Sequence, residues 1–490
     1  MSAGAVRVPS EVVETVRGQS MVEIRTARDA VRTAGLVELR LDGVTDVDVA
    51  GALAGRTRPV IVTCRAAWEG GQFDGSEAER LRILAEAVRL GAEFVDVEWR
   101  ADRQGLPAGD RTQIVLSHHD FHELPADLAD RVRAMQQQPA DIVKIAVAPR
   151  GLRDLLALRH LEWGDRRHVS IAMDAAGQLT RLCPWVFGSC WTYGGSAAPG
   201  QISADDLVEM YRVPHQSSAT AVYAIGGAPL GHSASPAMHN PAFAALGIDA
   251  VYVPLETADA DEFLEVAAAF DVQGASITAP LKTSLFARVP AADDLSTRTG
   301  AVNTLRRRSG GDWEACNFDA VGFFSPLEGR AASLVGARVV VLGAGGAART
   351  VVWTLQRAGA RVEIAARRRD RAEALAAEFG VGLASWPPAP GWDVLVNTTP
   401  VGTWPAVGES PLAREALGGR CVYDLVYNPP ETTLIRWARD AGAEVIGGLE
   451  MLVGQASHQF KWWTGRDAPA TTMEAGARAF LAGAQRRAHD

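Results

Sequence analysis

The chain is short of most features that would place it in a special class. Cysteine is scarce, with five among 490 residues (Cys64, Cys183, Cys190, Cys316 and Cys421). The number is odd and no two form a CxxC pair, which points away from a disulfide framework or a zinc site and toward reduced thiols. No apolar run approaches the roughly 18 residues of a membrane span. The opening, MSAGAVRVPSEVVE, lacks the charged start and apolar stretch of a secretory signal, so the expected location is cytoplasmic. Internal repeats and low-complexity tracts are missing. Excess positive charge is missing too: 49 Lys+Arg against 58 Asp+Glu gives a formal charge of -9. That balance weighs against a nucleic-acid partner, and any anionic substrate must be held by local arginines.

What is present is the composition of a globular protein with a full core, 47% apolar, and length for two to four domains. The first half repeats strand and helix. Strands are expected at 6–8, 36–42 (LVELRLD), 60–65 (VIVTCR), 94–99 (FVDVEW), 113–119 (QIVLSHH), 141–147 (DIVKIAV), 168–174 (HVSIAMD) and 185–191 (WVFGSCW). Amphipathic stretches such as EAERLRILAEAVRLGAE separate them, and SMVEIRTARDAV reads as the first helix. Short apolar runs alternating with helices form parallel sheets. Eight such units in about 200 residues predict a closed (β/α)8 barrel. Near YRVPHQSSAT the rhythm breaks, and a new strand, AVYAIGG, begins after about Gln216.

Lys144 sits in the middle of an apolar strand, where a lysine needs a partner or a task. Polar residues gather at the C-terminal ends of the other strands, the face on which barrel enzymes build their sites: Glu38, Arg40, Arg65 and His119, with Arg181 and Gln201 after the last two. Desolvation and nearby cations are expected to ease loss of the Lys144 proton. A neutral amine can attack a ketone and form a Schiff base, whose iminium acidifies the neighbouring C–H. His119 is the natural base for that proton. A lone lysine could simply extend its head to solvent, but His119, Arg65, Glu69 and Arg181 on the same face favour chemistry.

DIVKIAV, SHHDF, TCRAAWEGG, VELRLD, FGSCWTYG and APGQIS together resemble the type I 3-dehydroquinate dehydratases, from about Val6 to Tyr211. The resemblance implies that Lys144 forms an imine with the C3 ketone of 3-dehydroquinate. It implies that His119 removes the C2 proton and assists loss of the C1 hydroxyl, with Glu69 orienting it. Glu38, Arg40, Arg65, Arg181 and Gln201 would hold the hydroxyls and the carboxylate. Two positions depart from the family pattern: Ala197 stands where the lid serine belongs, with Ser196 one residue early, and Asp174 stands where a glycine is usual.

In the second half, VVVLGAGGAART is strand, glycine turn and helix start. Gly343, Ala344, Gly345, Gly346 and Ala347 allow a pyrophosphate to approach the backbone at a helix N-terminus. The next strand, RVEIAARRR, ends without the Asp or Glu that receives a ribose 2′-OH. Ala366, Arg367 and Arg368 stand there, which suits a 2′-phosphate and so NADP, although the arginines could also be a solvated helix start. PLGHSASPAMHN, GASITAPLK, AVNT, NFDAVG and GLEMLVGQASHQF resemble the shikimate dehydrogenases, from about Val222 to Gly465. Carried over, Lys282 and Asp319 are the catalytic pair. Ser233, Ser235, Thr278, Asn303, Tyr427 and Gln455 would bind the ring hydroxyls and carboxylate, although Ser235, before Pro236, also reads as a helix cap. Phe318 and Ala320 depart from the usual residues around the aspartate.

The two resemblances imply consecutive steps of one pathway: dehydration of 3-dehydroquinate, then reduction of 3-dehydroshikimate to shikimate with NADPH. The implied fold is α/β throughout. Residues 1–215 form the barrel. Residues 216–325, completed by helices at 448–490, form a substrate domain, and 326–447 an NADP-binding Rossmann domain. Expected partners are small molecules, with no metal, nucleic acid or membrane. One rival reading makes only one half catalytic and the other a ligand-binding domain. Another gives the second half quinate as its substrate.

Overall fold

The computed structural model describes residues 11–107, 109, 111–195, 201–328 and 334–487. The chain divides into two compact units. One runs to Gly231 and includes Asp249–Val272; the other comprises His232–Ile248 and Gln273–Asp490.

The first unit is built on eight parallel strands: β1 Glu11–Val16, β2 Leu36–Arg40, β3 Val60–Thr63, β4 Phe94–Glu98, β5 Gln113–Asp120, β6 Ile142–Val147, β7 Arg167–Ala172 and β8 Trp191–Gly194. They lie in the order β7-β6-β5-β4-β3-β2-β1-β8. The seam between β7 and β8 is drawn together by the Cys190 N–H, which donates to the His168 carbonyl at 2.9 Å. The strand expected at 6–8 lies outside the described residues. The strand expected at 185–191 is not one: Pro184–Phe187 is a 3-10 turn, ended by Gly188 at φ +70°, and the strand starts at Trp191. Proline fixes the first residue of such a turn, and a left-handed glycine closes it. The stretch SMVEIRTARDAV does form a helix, Met21–Ala30, because Ser20 caps it by accepting the Glu23 N–H at 3.3 Å. The helix Glu77–Arg89 starts on a reciprocal capping box between Ser76 and Glu79. Two further parallel strands, β9 Ala221–Gly227 and β10 Ala250–Glu256, pair within this unit.

The second unit contains an antiparallel set, β11 Val272–Ile277, β12 Thr304–Arg307 and β13 Trp313–Cys316. It also holds a parallel six-stranded sheet: β14 Arg338–Leu342, β15 Arg361–Ala365, β16 Gly382–Leu383, β17 Val394–Asn397, β18 Cys421–Asp424 and β19 Glu444–Ile446. Its order, β16-β15-β14-β17-β18-β19, is the 3-2-1-4-5-6 arrangement of a dinucleotide fold, whose ligands bind where the order reverses. That switch point lies between β14 and β17.

Close glycine crossings set the helices of this unit. The helix Gly448–Thr464 lies against Asp319–Phe324 so tightly that a Cβ on Gly322 would stand 2.6 Å from Gln455 Cβ and 2.9 Å from its backbone nitrogen. A close backbone approach of this kind is a reason for glycine there. Gly322→Ala should therefore lower the unfolding free energy by about 1–3 kcal/mol, the usual cost of overpacking. Gly310→Ala, whose Cβ would meet nothing within 4 Å, should change it by less than about 0.5 kcal/mol. Urea denaturation of the two variants checks the contrast.

Candidate active sites

Side chains alternate along a strand, so residues two apart share a face. In the barrel this produces layers. Val13, Leu36, Ile61, Val115, Ile142, Val169 and Trp191 form an apolar floor. Two residues further along, the inward positions turn polar on every strand but β7, where Ile171 follows Val169: Thr15, Glu38, Thr63, Asp96, Ser117, Lys144 and Tyr193. Glu38, Arg40, Arg65, Glu69, His119, Lys144, Arg181 and Gln201, all singled out from the sequence, line one cavity of about 130 Å³ at the C-terminal ends of the strands. Residues 196 and 197 lie outside the described residues.

Lys144 is 5% exposed. Its ammonium donates to Asp96 Oδ2 at 3.0 Å, lies 3.7 Å from Glu38 Oε1, and stands 4.2 Å over the Tyr193 ring. Burial opposes the charge, but Asp96 and Glu38 outweigh it and carry the pKa above the ordinary lysine value. The expected easing of proton loss is thus reversed, because the nearest charges are carboxylates rather than the arginines. Arg65 is held by Asp96 at 2.8 Å and Glu98 at 3.0 Å. Arg40 is held by Asp42 through two bonds of 2.8 and 2.9 Å. Arg181 differs. It donates to the Ala172 carbonyl at 2.8 Å, makes no ion pair within 4 Å among the described residues, and is pulled down to about 10 by burial. With Arg17, which also lines this cavity and makes no ion pair within 4 Å among the described residues, it is available to answer a ligand's negative charge. Asp174 beside it adopts φ +59°, ψ -173°, a region that suits glycine.

His119 Nδ1 is 3.0 Å from Glu69 Oε2, and its backbone N–H donates to the same oxygen at 3.1 Å. Burial and the positive charge of Arg65 lower the imidazole to about 4. The ring is therefore neutral at physiological pH and free to take a proton.

Asp96, Glu98 and Tyr193 were missed in the sequence. Asp96 and Glu98 occupy alternate positions of FVDVEW, in step with Arg65, so strand periodicity could have found them. Composition holds a second unused signal. The chain has three lysines, Lys144, Lys282 and Lys461, and two of them line cavities.

In the second unit Lys282 Nζ lies 2.6 Å from Asp319 Oδ2. Asn303 Nδ2 donates to Asp319 Oδ1 at 2.7 Å, so each carboxylate oxygen has one donor. Lys282, Asp319, Tyr427 and Gln455 line a cavity of about 430 Å³, together with Gly346 and Ala347 of the glycine turn. Ser233, Ser235 and Thr278 are not among its walls. Ser235 is the first residue of its helix rather than the cap, and its N–H is taken by Ser233 Oγ at 3.3 Å. Phe318 points away from the cavity onto His458 and Trp462, with ring centroids 6.2 and 5.7 Å distant. The departure at this position leaves the Lys282–Asp319 pair intact.

Gly343, Ala344, Gly345, Arg367 and Arg368 line a separate cleft of about 880 Å³, with Arg371, Trp386, Thr398 and Thr399. Gly343 has φ +109°, and a Cβ there would meet Thr398 Oγ1 at 2.6 Å. The helix Gly346–Arg357 begins with no side-chain cap, which leaves its first N–H groups for an anion. Three arginines against a single carboxylate, Glu409, suit a dinucleotide bearing an extra phosphate. Arg369 is not part of this set, because it turns to Glu373 at 2.8 Å. Arg371 was missed within the ARRRDR run, since helix phase decides which arginines reach the cleft.

Comparison with known proteins gives four matches to family models. They are type I 3-dehydroquinase over residues 13–218, the shikimate dehydrogenase substrate binding domain over 225–305, shikimate / quinate 5-dehydrogenase over 327–386, and the shikimate 5'-dehydrogenase C-terminal domain over 448–475. The chloroplastic bifunctional 3-dehydroquinate dehydratase/shikimate dehydrogenase of Arabidopsis thaliana is 34% identical over 504 residues, covering 95% of this chain and 83% of that protein. A shikimate dehydrogenase (NADP(+)) of Anaeromyxobacter is 42% identical over 271 residues, 52% of this chain and 95% of that one. The solved shikimate 5-dehydrogenase of Thermus thermophilus, in complex with NADP(H) and shikimate, is 35% identical. It matches 53% of this chain and 100% of its own, with a TM-score of 0.50.

The charge arrangement around Lys144 can be tested directly, because protein labelled with 13C at lysine Cε gives only three signals. The Lys144 signal should titrate above the ordinary lysine range. Asp96→Asn removes the strongest opposite charge and should lower that pKa by at least about one unit, since a close carboxylate shifts a neighbour by 1–3.

Proposed function

Because the chain belongs to the bifunctional 3-dehydroquinate dehydratase/shikimate dehydrogenase family, we propose that it carries out both reactions in sequence, in two separate sites. In this reading residues 1–215 dehydrate 3-dehydroquinate to 3-dehydroshikimate. Residues 216–325 with 448–490 bind the product, and 326–447 bind the NADPH that reduces it to shikimate. No helix among the described residues is long and apolar enough to cross a membrane; we place the protein in the cytoplasm, in keeping with its five free cysteines.

The observation that carries the first half is an amine and a neutral imidazole facing one small cavity that also offers an arginine without an ion pair among the described residues. Arg181 receives the substrate carboxylate. Lys144 passes a proton to a neighbour, for which Asp96 and Glu38 are in reach, and its nitrogen attacks the C3 ketone. Loss of water gives the imine. His119 Nε2 takes the C2 proton, and the electron pair is held by the iminium. The imidazolium, balanced by Glu69, returns the proton to the C1 hydroxyl as it leaves as water. Hydrolysis of the imine frees the product and restores Lys144.

In the second half, Lys282 and Asp319 hold the ketone oxygen and deliver a proton to it. Their 2.6 Å pairing supports this, since proton exchange needs such contact. NADPH, when bound, supplies the hydride. The uncapped helix start at Gly346 suits its pyrophosphate, and Arg367, Arg368 and Arg371 suit its 2′-phosphate.

Dehydroquinate given with NADPH should yield shikimate. Borohydride added with dehydroquinate should inactivate the dehydratase and leave ligand mass on the peptide holding Lys144, which is separable from those of the other two lysines. Lys144→Ala should abolish dehydration and spare reduction of dehydroshikimate. Adduct mass elsewhere, or none, would sink the imine mechanism.

NADPH should be preferred over NADH in kcat/KM. Arg367→Ala should reduce that preference about ten- to a hundredfold, as a charge-assisted contact of roughly 1.5–3 kcal/mol implies. The change should lie in KM, because the contact is remote from hydride transfer. Equal use of both cofactors by the unmodified chain would show the arginines to be a solvated helix start.

A further inference from the structure

The strand β5 carries two adjacent histidines, and both reach the same carboxylate. Ser117 and His119 point into the barrel, where Ser117 Oγ donates to Asp96 Oδ1 at 2.6 Å. His118, one residue out of phase, points to the surrounding helices. Its ring meets Trp99 edge-on at 6.0 Å. Glu69, the last residue of the turn Ala67–Glu69, straddles the end of the strand. Its Oε1 is 3.3 Å from His118 Nδ1 and its Oε2 is 3.0 Å from His119 Nδ1.

The far side of His118 fixes the protons. Arg131, on the helix Leu128–Gln136, places Nη1 3.1 Å from His118 Nε2. A guanidinium can only donate. His118 Nε2 must therefore be the acceptor, and its hydrogen must sit on Nδ1, directed at Glu69 Oε1. Arg131 is itself tethered by Asp127 at 2.8 Å. An ionised carboxylate only accepts, and hydrogen bonds from the two histidines, against the opposing effect of burial, hold Glu69 at about 2. With one oxygen committed to His118, the other takes the backbone N–H and Nδ1–H of His119. The lone pair of His119 is then on Nε2.

We propose that His118 and Arg131 are positioning residues for the dehydration: through Glu69 they fix the tautomer and orientation of His119, so that Nε2 is the basic atom. The proposal rests on the reading that His119 is the base. Without a donor at Oε1, Glu69 can rotate about its last torsion, and the His119 ring loses the single arrangement that presents Nε2.

The test compares His118→Phe, which keeps a ring beside Trp99 but cannot donate, with His118→Asn, whose amide can donate from near the Nδ1 position. Both are made in the full chain, with His119→Ala as benchmark and NADPH-dependent reduction of dehydroshikimate as the folding control. His118→Phe should lower dehydration kcat about 10- to 100-fold, part of the roughly 10²–10⁴ that a positioned base contributes, while KM stays within about threefold. His118→Asn should recover most of that loss. In protein labelled with 15N histidine, the His119 signal should be the Nδ1–H tautomer in the unmodified chain and a mixture in His118→Phe. Unchanged kcat and tautomer in His118→Phe, with His119→Ala inactive, would overturn the proposal alone. Equal losses in the Phe and Asn variants would also overturn it, because the donor would then not be what matters. An active His119→Ala would instead overturn the underlying assignment of the base.

Discussion

The first unit depends on how a set of full charges is kept out of water. Lys144, Arg65, Asp96, Glu98 and Glu38 are each at most 5% exposed, and Arg80 joins them from the helix Glu77–Arg89 with Nη1 2.7 Å from Glu98 Oε2. Burying such groups costs several kcal/mol per ion, and their mutual attraction offsets that only when geometry is tight and the spare lone pairs are filled. Here most are filled: Thr15 and Thr63 donate to Glu38 at 2.8 and 2.9 Å, Ser117 to Asp96, and the Ala66 N–H to Glu98 Oε1 at 3.0 Å, while Glu98 Oε2 has only its ion pair with Arg80. The network is not an efficient source of stability. Beside it Arg181 makes no ion pair within 4 Å among the described residues, and the His119 imidazole carries no charge.

That same balance decides reactivity. A lysine among arginines would shed its proton; a lysine between two carboxylates keeps it. The amine at Lys144 is thus stored as an ammonium beside the groups that can accept its proton. The imidazole of His119, which faces Arg65 and Lys144, is pushed the opposite way. Two groups whose free pKa values differ by about four units are driven further apart, which suits the separate roles of nucleophile and base proposed for them.

The second unit solves a different problem by backbone proximity. Gly322 lets the helix bearing Gln455 approach the helix bearing Asp319. Gly343 lets β14 approach Thr398 at the end of β17. The turn between β14 and its helix then serves two cavities, Gly343 and Gly345 on one and Gly346 and Ala347 on the other. A single helix start thereby borders both the space suited to the nucleotide phosphates and the space holding Lys282 and Asp319. Phe318, the most conspicuous departure in the sequence, is absorbed by stacking on His458 and Trp462 and does not reach the chemistry.

By itself the sequence determined the alternation of strand and helix, the eight-fold count of the barrel, the glycine turn, and the two lysine-centred motifs. Each of these is written in local period or in short contiguous blocks, and local order survives in one dimension. It did not determine the ends of the barrel sheet, because a proline turn and a β-strand share the apolar run WVFGSCW and only packing separates them. It read Lys144 from its strand but not from its nearest partner, since Asp96 lies two strands away and becomes a neighbour only when the sheet curls. The sign of the Lys144 shift, the tautomer imposed through His118 and Arg131, and the choice of Arg371 over Arg369 were decided by tertiary structure alone. Electrostatic energies and proton positions depend on distances of a few ångströms between residues far apart in the chain, and those distances exist only in the fold.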